Sequence, residues 1–174
     1  GDLDQLHSSE GGISIGLIDG IENGAHQCLR WQHGNIMMSG SGSSTSKLAL
    51  LVRSCATILS DSLGFPLCGV SIDSGTPHSS VTSPDYLIRD IVDFGVLCED
   101  ICHRAPCVIW LEDIEGTLHM LEECLGVLRA HDLWGQFTRS CDGVNIVLIA
   151  SDVSGRFTSR TLFGSYEHFW YEIP

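Results

Sequence analysis

Two runs of the chain are almost wholly apolar and stop abruptly at polar residues: Cys107-Val108-Ile109-Trp110-Leu111, and Val144-Asn145-Ile146-Val147-Leu148-Ile149-Ala150. A strand with one wet face alternates in polarity. A strand covered on both faces does not, and such strands belong to parallel sheets flanked by helices. Shorter strand candidates are Asn35-Ile36-Met37-Met38, Phe65 to Ile72, and His168 to Ile173.

Helical patterns separate these runs. From Lys47 to about Leu59, the residues Leu48, Leu51, Val52 and Cys55 recur at helical spacing. Ser83-Pro84-Asp85 reads as a helix start, with a capping hydroxyl, a proline suited to the first turn and an acid complementing the dipole. That helix is expected to reach about His103, burying Leu87, Ile88, Ile91, Val92 and Phe94. Thr117 is expected to cap a further helix with Leu118, Leu121, Leu125 and Leu128 on one stripe. Gly16 to Arg30 reads as one more helix ahead of the first strand. The alternation predicts a three-layer α/β fold around a mainly parallel, five-stranded sheet. The strands after Gly34 and after Cys141 are expected to lie side by side. Residues 1–174 fit one domain with a sizeable core, read here as an excised part of a longer chain.

The formal net charge of −13, from 22 acidic and nine basic residues, argues against nucleic acid and anionic membrane as partners. No apolar run has the roughly 18–20 residues of a membrane-spanning helix. Of the eight Cys, those at 28, 55, 107 and 124 sit among apolar neighbours, as free buried thiols do. The set Cys98, Cys102, Cys107 and His103 lacks the paired knuckles of a structural zinc site. A reducing setting is expected, cytosol or nucleus, with the cytoplasmic one preferred. The eight His are scattered, and none pairs with Ser or Cys in a nucleophile motif.

Ligands of open parallel sheets bind at the carboxyl ends of the strands, and three polar stretches fall there. The first is Gly40-Ser41-Gly42-Ser43-Ser44-Thr45-Ser46-Lys47, between a strand and a helix. Small residues let backbone N–H groups wrap a phosphate, the helix N-terminus adds its dipole, and a lysine reaches the outer phosphates. Lys47 is the only lysine in the chain. Against the Walker A pattern, Ser41 and Ser46 replace the two glycines, and Leu48 stands where a hydroxyl residue normally holds Mg²⁺. The same loop also reads as a flexible turn with one exposed lysine.

The second stretch is Glu112-Asp113 after the run ending at Leu111. It has the form of a Walker B motif with its acids in reversed order, Glu112 organising Mg²⁺ and Asp113 polarising the attacking water. A solvated acidic turn has the same appearance. The third is Ser151-Asp152 after Ala150, where Ser151 would stand between the acids and the γ-phosphate; taken alone, it reads more simply as the start of a loop.

In this order, the three stretches resemble the large subdomain of AAA+ P-loop NTPases, over roughly residues 12 to 173. Within that class the chain looks most like the divergent AAA-like module of neuron navigators and cortactin-binding protein 2, where an aromatic strand comparable to His168-Phe169-Trp170-Tyr171 follows the sensor 1 strand. The resemblance implies binding of ATP or ADP, with Mg²⁺, by Gly40, Gly42, Ser43, Ser44, Thr45, Ser46 and Lys47. It implies catalytic roles for Glu112, Asp113 and Ser151, and an adenine pocket lined by Gly12 to Ile18. It also implies protein partners, cytoskeletal ones among them, and a homo-oligomer in which Arg156 or Arg160 is offered to a neighbour. The helical lid of the class is not expected within residues 1–174. Two functions stay open: a weak or inactive ATPase kept for protein interaction or assembly, and an active remodelling ATPase.

Overall fold

The computed structural model describes residues 12–19, 25–39, 45–73, 84–112, 114–152 and 168–172; side chains are described at 12–16, 30–38, 48–73, 84–112 and 114–151. The elements in order are β1 (Ile13–Asp19), β2 (Ala25–Trp31), β3 (Asn35–Ser39), α1 (Thr45–Leu63), β4 (Leu67–Ile72), β5 (Tyr86–Ile88), α2 (Ile91–Ile101), β6 (Cys107–Leu111), α3 (Ile114–Leu125), α4 (Val127–Ser140), β7 (Ile146–Asp152) and β8 (His168–Glu172).

Six of the described strands form one sheet in the order β5-β4-β6-β7-β3-β8, and every neighbouring pair is parallel. The expected adjacency of β3 and β7 is present, with Ile36 opposite Ile149 and Met38 opposite Ser151. The sheet has one strand more than the expected five, the short edge strand β5. From β3 the chain crosses through α1 to β4, over the two places that β6 and β7 later fill.

The period-2 alternation of the strands sorts the core into two layers. Ile36 and Met38 of β3, Val108 and Trp110 of β6, and Val147 and Ile149 of β7 share a layer with Leu48, Leu51, Val52, Cys55, Ala56 and Leu59 of α1. Met37, Ile109, Leu111, Leu148 and Ala150 point to the opposite layer, with Phe94 and Leu97 of α2, Leu118 and Leu121 of α3, and Trp134 and Phe137 of α4. Burial on both faces explains why β6 and β7 read as continuous apolar runs. At the amino ends of the strands, the buried side chain of Asn35 ties β3 to its neighbours. Its Nδ2 donates to the Cys141 carbonyl at 2.8 Å, and its Oδ1 accepts from Leu148 N–H at 2.8 Å.

Five expectations need correction. Gly16 to Arg30 is not a helix: β1 and β2 pair antiparallel, with Asp19 opposite Ala25. Ile13 and Ile15 are buried and Ser14 and Gly16 exposed, a strand period that covers α1. The segment after Ser83 does not enter a helix at once. Tyr86–Ile88 pairs with β4, and Asp85 accepts the Gly69 N–H at 2.7 Å. The helix starts at Ile91, where Asp90 accepts Asp93 N–H at 3.0 Å as a cap, so Val92 and Leu87 are exposed rather than core. Thr117 lies buried inside α3 instead of capping it. The stripe through Leu128 is broken at Gly126, whose φ of +83° turns the chain into α4 and leaves Leu128 87% exposed. Cys124 is likewise exposed, whereas Cys55 and Cys107 are buried as expected.

Candidate functional site at the carboxyl ends of the parallel strands

The carboxyl ends of β3, β7 and β6 lie side by side. Ser39 ends β3 opposite Asp152, Leu111 lies opposite Ala150, and Glu112 follows Leu111 directly. Continuing the alternation of Val108 and Trp110, Glu112 falls on the α1 side of the sheet; continuing Val147 and Ile149, so does Ser151. The contacts agree. The buried Ser151 hydroxyl donates to the backbone carbonyl of Glu112, and the Glu112 carboxylate accepts from Nε of Arg53.

Arg53 belongs to α1, the helix that Lys47 enters in its first turn. The two residues are six apart, about 9 Å along the helix axis. The guanidinium of Arg53 also sits 4.7 Å from the ring centroid of Trp110, a cation–π distance. The ion pair is largely withdrawn from water, with its two side chains 19% and 15% exposed. Trp110 in turn depends on Gly69 in the neighbouring β4. A Cβ at position 69 would lie 2.2 Å from Cζ2 of the indole, so only a glycine leaves room for the ring. A row of Gly69, Trp110, Arg53, Glu112 and Ser151 thus runs across the strand ends.

Of the site residues expected from the sequence, Glu112 and Ser151 are brought together. Thr45, Ser46 and Lys47 are the first three residues of α1. Gly40, Gly42, Ser43 and Ser44 lie outside the described residues, as do Asp113, Arg156 and Arg160. Leu48 is fully buried in the layer between α1 and the sheet. Arg53 is the residue that sequence reasoning missed. Its signal was faint: it is the one charged residue between Lys47 and Asp61 on an otherwise apolar and small-residue helix.

The thiols stand apart from these strand ends in chemistry. Burial pushes the Cys55 thiol up to about 12. The same cause, with Asp85 nearby, takes Cys68 to about 12. Both are held as neutral thiols and poor nucleophiles. Among the described residues, no group of three or more His, Cys, Asp or Glu is placed to hold a metal ion, and no helix is long and apolar enough to cross a membrane.

Among solved structures, the cytoplasmic domain of EssC matches with a TM-score of 0.51 at 16% identity, over 94% of this chain and 37% of that one. The chain therefore spans little more than a third of that protein's length. At such identity the likeness is one of fold, a parallel sheet with helices packed on it. No family model matches the sequence, and no curated protein matches it.

Proposed function

We propose that the chain is a nucleotide-binding module of the AAA+-like P-loop type, binding ATP or ADP through residues 40–47 and hydrolysing it weakly or not at all. One observation carries the reading. The strand that leads into the glycine- and serine-rich loop and the strand that ends at Leu111, directly before Glu112, are separated by a single strand ending in Ser151-Asp152, all three parallel. This arrangement supports the reading: the chain leaves β3 into residues 40–47 beside an acid and a polar side chain, and a helix N-terminus offers its dipole to a phosphate. Weak turnover follows from two departures. Leu48 is a core residue without a metal-binding oxygen, and Glu112 is already paired with Arg53. Phosphoryl transfer depends on placed Mg²⁺ and a positioned water.

The proposed role in protein interaction or assembly and its cytoskeletal partners rest on the sequence resemblance, and the proposed cytoplasmic location on the free-thiol reading of the cysteines. Equilibrium titration with ATP and ADP, together with a turnover assay, tests the reading. Saturable binding with turnover far under the roughly 10 s⁻¹ of a median enzyme is expected. Turnover near that value, abolished by Glu112→Ala, replaces it with the active remodelling ATPase.

A further inference from the structure

P-loop sites neutralise their acid and the nucleotide phosphates with a divalent cation, and the described residues fit that ion poorly. Mg²⁺ demands a near-octahedral set of oxygens at about 2.0–2.1 Å and gives up its water reluctantly. Leu48, in the place of the usual hydroxyl ligand, is buried against the sheet and has no oxygen to offer. The Ser151 hydroxyl is oriented by donation to the Glu112 carbonyl. One oxygen of the Glu112 carboxylate, Oε1, is held by Nε of Arg53, which sets a positive charge beside the acid.

Arg53 is also built in. Its guanidinium lies 4.7 Å over the Trp110 ring, and Trp110 fits only because position 69 has no side chain. A guanidinium stays charged at every accessible pH. A divalent ion approaching Glu112 meets a fixed positive charge and an acid that is already neutralised. In a chain of net charge −13, a polyphosphate near the strand ends also needs Glu112 neutralised, and Arg53 does this without a metal.

We propose that Arg53 replaces the divalent cation at this site, so that nucleotide binding is metal-independent and Glu112 is closed to metal. The proposal rests on the nucleotide-binding reading. Its metal arm is measured without nucleotide, so that the two can fail separately. Mn²⁺ alone serves as the probe, with the free ion read by electron paramagnetic resonance on the full chain.

In the wild type, Glu112→Gln should leave Mn²⁺ uptake unchanged. Arg53→Gln should raise Mn²⁺ affinity at least about tenfold, and Arg53→Gln with Glu112→Gln should cancel the gain. Arg53→Lys, which keeps the charge, should behave as wild type, with circular dichroism verifying the fold of each variant. In the nucleotide arm, the ATP Kd in EDTA and in Mg²⁺ should agree within about threefold for the wild type. Arg53→Gln should weaken binding in EDTA at least about tenfold. Wild-type Mn²⁺ uptake that Glu112→Gln removes, no gain in Arg53→Gln, or ATP binding that collapses in EDTA would each overturn the proposal. A chain that binds ATP under neither condition overturns the nucleotide reading, and the Mn²⁺ arm then still decides whether Arg53 excludes metal from Glu112.

Discussion

Gly69→Ala probes the support beneath the Arg53–Glu112 pair without touching either residue. The added methyl carbon would stand 2.2, 2.5 and 3.0 Å from three atoms of the Trp110 indole. Ordinary carbon contacts lie near 3.5–4.0 Å, so the ring must move by more than about 1 Å. It has little freedom to do so, being 3% exposed in the layer under α1 and faced by Arg53. Overpacking of this kind costs about 1–3 kcal/mol. Reduced unfolded-state entropy gives back about 0.4–1 kcal/mol. The net expectation is a loss of up to about 2.5 kcal/mol, which for a domain of this size lowers Tm by several degrees, at roughly 2–4 °C per kcal/mol.

Urea denaturation of four proteins measures it: wild type, Gly69→Ala, Trp110→Val, and the two changes combined. With the indole removed, the alanine should be neutral or stabilising, so the coupling in the cycle should exceed about 1 kcal/mol, the scale of residues in contact. If Gly69→Ala costs as much in the Trp110→Val background as in the wild type, the indole does not lie over Gly69 and the row across the strand ends is wrong.

Asn35→Ala should be among the more damaging single changes. It strands the Cys141 carbonyl and the Leu148 N–H, both paired at 2.8 Å in a fully buried setting, at about 1–3 kcal/mol for each group; a shift in urea midpoint under about 1 M at unchanged slope would argue against it. Acid should also weaken the turn before β7. Partial burial pushes the Asp142 carboxyl up, but N–H donation from Ile146, Val144 and Asn145 outweighs it and leaves the group lowered. A depressed carboxyl contributes stability that is present above its unfolded value of about 3.9 and is lost as pH falls through the folded one. The urea midpoint should therefore fall more steeply between about pH 5 and pH 3 in the wild type than in Asp142→Asn. Equal slopes would remove Asp142 from the account.

What the sequence disclosed follows from which interactions are local. The runs ending at Leu111 and Ala150 were legible because burial on both faces leaves no polar position to confuse the pattern. The face of α1 formed by Leu48, Leu51, Val52 and Cys55 was legible for a similar reason, since one helix face meets one sheet. The β1–β2 hairpin was not legible within Gly16 to Arg30, because the clean alternation Ile13-Ser14-Ile15-Gly16 lies almost wholly ahead of that stretch. The start of α2 was placed too early because Ser83-Pro84-Asp85 imitates a cap. The working cap, Asp90, lies three residues before Asp93 and carries the same signal. The ion pair of Arg53 with Glu112 joins residues 59 apart. Only the crossing of α1 over β6 brings them together, and no local pattern announces that crossing.

The nucleotide reading stands or falls on residues 40–47 cradling phosphates that meet Lys47. No other lysine exists in the chain to take its place, and a buried or half-buried phosphate needs a cationic partner. The direct measurement is calorimetric titration of ATP into the wild type and into Lys47→Ala, with circular dichroism showing the fold intact in both. Saturable binding by the wild type and at least about a hundredfold weaker binding by the variant are expected. Equal affinity in the two proteins, or none in the wild type, would show that the loop is not a phosphate cradle.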